Sequence, residues 1–192
     1  MRNISIYMEA NPNPASLKFV SNEMLFEQGN TWDYPDKESA ANSPFATALF
    51  GFDYVKRVFF MNNFITITKS DEVEWMEVQH EIRNFIKAYI DEEKTIFTEG
   101  AVPPAAPEAP KKPEISMLDV KIKQILDEYV KPAVESDGGA ITFVSFNEGT
   151  VKVQLQGACS GCPSSTVTLK AGIENLLKTM VPEVESVEAE GV

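Results

Sequence analysis

Apolar and polar positions along this chain fall into two successive blocks, each mixing strand-like alternation with helical spacing. In the first, Ile4-Ser5-Ile6-Tyr7-Met8-Glu9 and Leu17-Lys18-Phe19-Val20 predict short strands on either side of the turn former Asn11-Pro12-Asn13-Pro14. Ser43-Pro44 predicts a helix start carried through Leu49 and Phe50, because a serine cap followed by proline suits the first helical turn. Val55-Lys56-Arg57-Val58-Phe59-Phe60 and Phe64-Ile65-Thr66-Ile67-Thr68 predict a hairpin about Met61-Asn62-Asn63. Trp75, Val78, Ile82, Phe85, Ile86 and Tyr89 then form an apolar stripe on a long helix, which reads as core, and His80 lies off that stripe.

In the second block, Leu118, Ile122, Ile125, Leu126 and Tyr129 line one face of a helix that Pro132 ends or kinks. Asp137-Gly138-Gly139 reads as a turn. Residues 141–146 and 151–156 predict a hairpin about Asn147-Glu148-Gly149. Leu169, Ile173, Leu176, Leu177 and Met180 recur at helical spacing, and Pro182 stops that helix before a last strand near residues 184–189. The order is αββαβ. Between the blocks Pro103, Pro104, Pro107, Pro110 and Pro113 crowd a stretch that predicts an extended spacer. The expected fold class is therefore α+β, as two small domains: 1–99, a Pro/Ala-rich linker over 100–113, and 114–192.

Charge narrows the partners. The 17 Lys and Arg are outnumbered by 29 Asp and Glu, and both halves share the excess, which disfavours nucleic acid. No apolar run is long enough to cross a membrane. Strand-like residues begin at Ile4, leaving no room for an Arg-rich transit peptide, and two cysteines are too few for a disulfide framework, so the expected address is the cytoplasm.

Those two cysteines, Cys159 and Cys162, stand in Gly157-Ala158-Cys159-Ser160-Gly161-Cys162-Pro163-Ser164-Ser165, between the strand ending near Gln156 and the next helix. Pro163 fits the first helical position, and Ser164 and Ser165 suit the free N–H groups of the first turn. Both sulfurs then precede the positive end of a helix and point outward, where thiolate is favoured over thiol. Such a pair can grip a metal, cycle a disulfide, or be two small apolar residues. A complete four-ligand zinc or iron-sulfur site exceeds what one chain offers, since only His80 could add a nitrogen. Two chains together could supply four thiolates. A thiol-disulfide oxidoreductase remains the alternative, although Pro163 keeps both cysteines ahead of the helix, unlike a thioredoxin-type motif. Gly157 and Gly161 either free backbone amides to face sulfur or are turn glycines only.

The run from Val151 to Glu174, with Val134-Glu135-Ser136-Asp137-Gly138-Gly139 before it and Val181 to Val187 after it, resembles the C-terminal domain of NifU and its NifU-like (Nfu) relatives. Asn11-Pro12-Asn13-Pro14 to Phe19, with Ser43-Pro44 and the stretch from Val58 to Lys69, resembles the N-terminal domain of Nfu proteins, an accessory domain without ligating cysteines. The resemblance implies a non-enzymatic iron-sulfur carrier or scaffold. Its cluster would be [4Fe-4S], held by Cys159 and Cys162 of each of two chains in a homodimer. Its partners would be a cluster donor and apo iron-sulfur client proteins.

Overall fold

The computed structural model describes residues 4–103, 116–160 and 163–191, the first four residues of the last segment by their backbone alone. The chain divides into two compact units, Met1–Pro104 and Ala105–Val192. Most of the expected linker lies outside the described residues. Of the part described, Ala101 packs against the first core and its N–H donates to the Thr98 carbonyl.

The first unit is an antiparallel sheet of β1 (Ile6–Ala10), β2 (Ser16–Ser21), β3 (Thr31–Tyr34), β4 (Val55–Met61) and β5 (Phe64–Lys69), in the order β1-β2-β5-β4-β3. Asn11-Pro12-Asn13-Pro14 turns because two asparagine side chains stand in for backbone acceptors: Asn13 N–H donates to Asn11 Oδ1 and Ala15 N–H to Asn13 Oδ1, each at 3.0 Å. Helix α1 (Pro44–Leu49) is capped by Ser43, whose Oγ accepts from Ala46 N–H and donates to the Ile96 carbonyl at 2.7 Å. Helix α2 (Trp75–Asp91) buries Val78, Ile82, Ile86 and Tyr89 of the stripe read from its spacing, adds Ile90, keeps Trp75 and Phe85 half-buried, and leaves His80 exposed. Phe97 closes the core, stacking on Trp32 with ring centroids 3.9 Å apart.

Strand β3 is absent from the sequence reading, and the reason is chemical. Trp32 and Tyr34 are buried, but the alternation is only four residues long, and Asp33 between them, a poor strand former, is buried too and is satisfied in the tertiary structure. Arg57 on β4 grips both of its oxygens, Nε donating to Oδ1 at 2.8 Å, with the Asp33 side chain 1 % exposed.

The second unit runs α3 (Met117–Ile125), a π-helical turn over Leu126–Val130, α4 (Lys131–Ser136), β6 (Gly139–Asn147), β7 (Thr150–Gly157), α5 (Pro163–Met180) and β8 (Ser186–Gly191). Ser116 and Asp119 open α3 with reciprocal bonds, each side chain accepting the other's backbone N–H. Pro132 kinks the helix. It lacks an N–H and its ring would strike the carbonyl four residues back, so the preceding turn widens and Lys131 N–H reaches the Leu126 carbonyl. The widened turn also moves Tyr129 off the buried face. It is 52 % exposed, contrary to the spacing, and Val130 is buried in its place.

In the three-stranded sheet β7 lies centrally, antiparallel to β6 and parallel to β8. The β6–β7 turn puts Glu148 and Gly149 at positive φ, 45° and 78°, as a tight two-residue hairpin requires. Val151, Val153 and Leu155 of β7 meet Ile122, Ile125, Leu126, Ile173, Leu177 and Val187 in the second core. We expect Arg57→Ala to destabilise the chain by about 3 kcal/mol, the scale for leaving a buried charge unpaired. The double variant Asp33→Ala/Arg57→Ala should recover part of that loss in urea unfolding; no recovery would show that packing, not charge, sets the effect.

Candidate functional site

The cysteine loop lies where β7 ends and the crossover to α5 begins. Gly157 terminates β7 at φ 66°, a conformation that strains any residue with a Cβ. The chain then turns back: Ser160 N–H donates to the Gly157 carbonyl at 3.2 Å, and Ala158 N–H reaches the Gly138 carbonyl at 3.3 Å. That second bond ties the loop to the start of β6, so Asp137-Gly138-Gly139 is both a turn and one wall of the loop. Pro163 is the first residue of α5, as the sequence suggested.

Cys159 is 6 % exposed and belongs to the apolar core of its unit. The expectation of an outward sulfur therefore fails for this residue. The turn after Gly157 folds it back over Gly139, where a Cβ added to the glycine would stand 2.9 Å from its Sγ. Cys162 and Gly161 lie outside the described residues, as do the side chains of Ser164 and Ser165. The sequence reading missed the contact between Gly139 and Cys159. Its only trace in sequence is the second glycine of Gly138-Gly139, one more than the turn itself needs.

The donor set suits a soft, thiophilic ion or cluster. Cys159 offers one sulfur donor, held in a turn ahead of an eighteen-residue helix whose N-terminal end favours negative charge. One chain brings two thiols at most, half of a tetrathiolate shell. Among the described residues no group of three or more His, Cys, Asp or Glu is gathered to hold a metal, and His80 stands on α2 of the other unit.

Strand β8, which flanks the loop, is itself anchored to α5. Glu174 accepts from Lys178 Nζ at 2.6 Å and from Val187 N–H at 3.1 Å. The Lys178 bond, and then that backbone N–H, hold its carboxyl below the ordinary glutamate range.

Comparison with known proteins agrees across both units. The model of the NifU-like domain matches residues 122–188, and that of the scaffold protein Nfu/NifU N terminal matches residues 6–93. NifU-like protein 4, mitochondrial, of Arabidopsis thaliana is 40 % identical over 98 % of this chain and 67 % of its own length. The chain belongs to the NifU-like (Nfu) family. The NFU1 iron-sulfur cluster scaffold homolog, mitochondrial, of Drosophila persimilis is 40 % identical over 97 % of this chain. A solution NMR structure of a NifU-like protein from Saccharomyces cerevisiae is 25 % identical, with a TM-score of 0.44 over 52 % of this chain and 88 % of that one.

The chain spans about two thirds of these curated relatives, 65 % of the Drosophila protein. The cytoplasmic address is overturned by the same finding, since both relatives are named mitochondrial. That expectation rested on where strand-like residues begin, and a chain shorter than its relatives carries no information there about a leader.

A group whose folded pKa is depressed contributes stability above its unfolded value and loses it as pH falls through the folded one. The Glu174 anchor should therefore be fully present above about pH 4.3, the ordinary glutamate value, and weaken as pH drops through the depressed value. Amide exchange at Val187, corrected for its intrinsic rate, should stay protected at neutral pH and speed up only in acid. Protection that is unchanged in Glu174→Gln would remove the carboxylate from that role.

Proposed function

We propose that this chain is a non-catalytic carrier or scaffold for iron-sulfur clusters. Cys159 and Cys162 of two protomers would hold one cluster, [4Fe-4S], as cargo and yield it to apo-proteins by exchange with their thiolates. The observation that carries this reading is the C-x-x-C loop itself: two soft ligands between β7 and α5, in a chain with no third cysteine. A shell short by half asks for a second copy. The curated relatives named iron-sulfur cluster scaffolds support the same reading.

Partners follow from the chemistry. A donor must deliver iron and sulfide, and a client must present cysteines of its own. The proline-rich stretch over 100–113 is proposed as a spacer, at about 3.1 Å per residue when extended. It would let the first unit, which has no cysteine, hold a client near the loop and raise its local concentration. The thiol-disulfide reading is weaker, because Pro163 as the first residue of α5 keeps both cysteines ahead of the helix.

Anaerobic reconstitution should give a brown protein that sediments as a dimer, with the chain largely monomeric before loading. A loaded monomer carrying a full cubane without an added thiol would sink the bridging model. Cys159→Ser and Cys162→Ser should each abolish or gravely weaken iron and sulfide uptake, since a dimer of either offers two thiolates where four are needed. A disulfide enzyme would treat the pair unequally, one attacking and one resolving. Normal cluster content in either variant, or dithiol turnover by the wild type with no cluster formed, would move the assignment to that class. Cys159→Ser buries a hydroxyl in an apolar core, so circular dichroism and thermal unfolding must accompany its iron count.

Residues 114–192 alone should fold and take up a cluster, and residues 1–99 should fold and take up none. Equal transfer rates to every client with and without the first unit would reduce that unit to a stabiliser.

A further inference from the structure

Ser160, the first of the two residues between the cysteines, is approached closely by the end of β8. Gly191, at the end of β8 and opposite Leu155 of β7, lies so close that a Cβ there would stand 2.8 Å from the Ser160 carbonyl oxygen and 2.9 Å from its Oγ. Across the loop, a Cβ on Gly139 at the start of β6 would stand 2.9 Å from Cys159 Sγ and 2.6 Å from the Gln156 carbonyl oxygen. Strands β6 and β8 flank β7 on opposite sides, so residues 159–160 are bounded on both sides by backbone that has no side chain to give way.

We propose that Gly139 and Gly191 are positioning residues that clamp the Cys159-Ser160 turn and fix the direction from which the Cys159 sulfur is presented. The clamp rests on the carrier reading for its use and on geometry alone for its existence. The two jaws differ. Gly139 meets the main chain of its own hairpin partner as well as the sulfur, so a methyl there disturbs β6–β7 pairing too. Among the described residues the three atoms nearest a Cβ on Gly191 all belong to Ser160, and the φ of Gly191 lies outside the left-handed region, so the backbone conformation itself allows alanine there. Gly172, in α5 with nothing within 4 Å of an added Cβ, supplies the control.

The test uses the full chain carrying Cys162→Ser, which leaves Cys159 as its sole thiol, without iron. In that background Gly191→Ala should raise the rate of Cys159 alkylation by about fivefold, the factor given by about 1 kcal/mol in a local opening equilibrium. Gly139→Ala should raise it further, and Gly172→Ala should leave it unchanged. Circular dichroism and thermal unfolding of Gly191→Ala should match the parent. In the chain with both cysteines, Gly191→Ala should still take up iron but lose it faster to a chelator, with a changed absorption spectrum. Unaltered alkylation in both Gly191→Ala and Gly139→Ala overturns the clamp, whatever the iron content. Faster alkylation in a protein that takes up no iron even as wild type upholds the clamp and removes the carrier reading instead.

Discussion

Strand β8 runs parallel to β7, and a parallel neighbour cannot be reached by a tight turn. The chain must leave the carboxyl end of β7, cross the sheet as a helix and re-enter alongside. Helix α5 is that crossover, and the segment joining β7 to α5 is the cysteine loop. The loop therefore sits beyond the carboxyl end of a central strand and ahead of a helix N-terminus, where open α/β sheets put ligands. Antiparallel β6 adds the remaining wall, since the hairpin register pairs Gly139 with Gly157 and brings the start of one strand to the end of the other.

Among its described residues the first unit has no parallel strand pair to create such a place. All of its strand pairs are antiparallel, β4 and β5 are joined by a two-residue hairpin turn at Asn62-Asn63, and α1 and α2 serve to cover apolar residues. Its unusual features are matters of closure: Ser43 joins α1 to the Ile96 carbonyl, Thr98 N–H donates to the Asn42 carbonyl, and Phe97 stacks on Trp32. The stretch leaving α2 is thus fastened to the core before the chain departs toward the second unit.

How much of this could be read in the sequence depends on whether the determining contact was local. Periodicity found α2, α5 and both hairpins, because each shows its buried face within its own residues. It missed β3, whose Asp33 makes sense only beside Arg57, 24 positions away. It misjudged Tyr129 because a proline's effect is to shift the helical phase by a residue, which a fixed 3.6 spacing cannot express. At the loop, residue types and spacing pointed to soft-ligand chemistry, and the proline correctly marked the helix start. The burial of Cys159 stayed hidden because it follows from Gly157's positive φ and from Gly139 on another strand.

In the proposed reading, the shortage of thiols also governs how cargo is held. A shell divided between two chains ties loading to dimerisation, so occupancy follows the square of chain concentration, as with any two-chain ligand site. Each chain carries a formal net charge of −12, and self-repulsion opposes that association within roughly a Debye length, about 8 Å at physiological salt. The cluster's bonds to sulfur must then supply the attraction that the surfaces lack. A client presenting its own cysteines competes with two half-sites, each free to drift away once its bonds are exchanged, whereas a single chain with four thiolates would recapture its cargo. A loop with two cysteines, on an acidic chain, is suited to release.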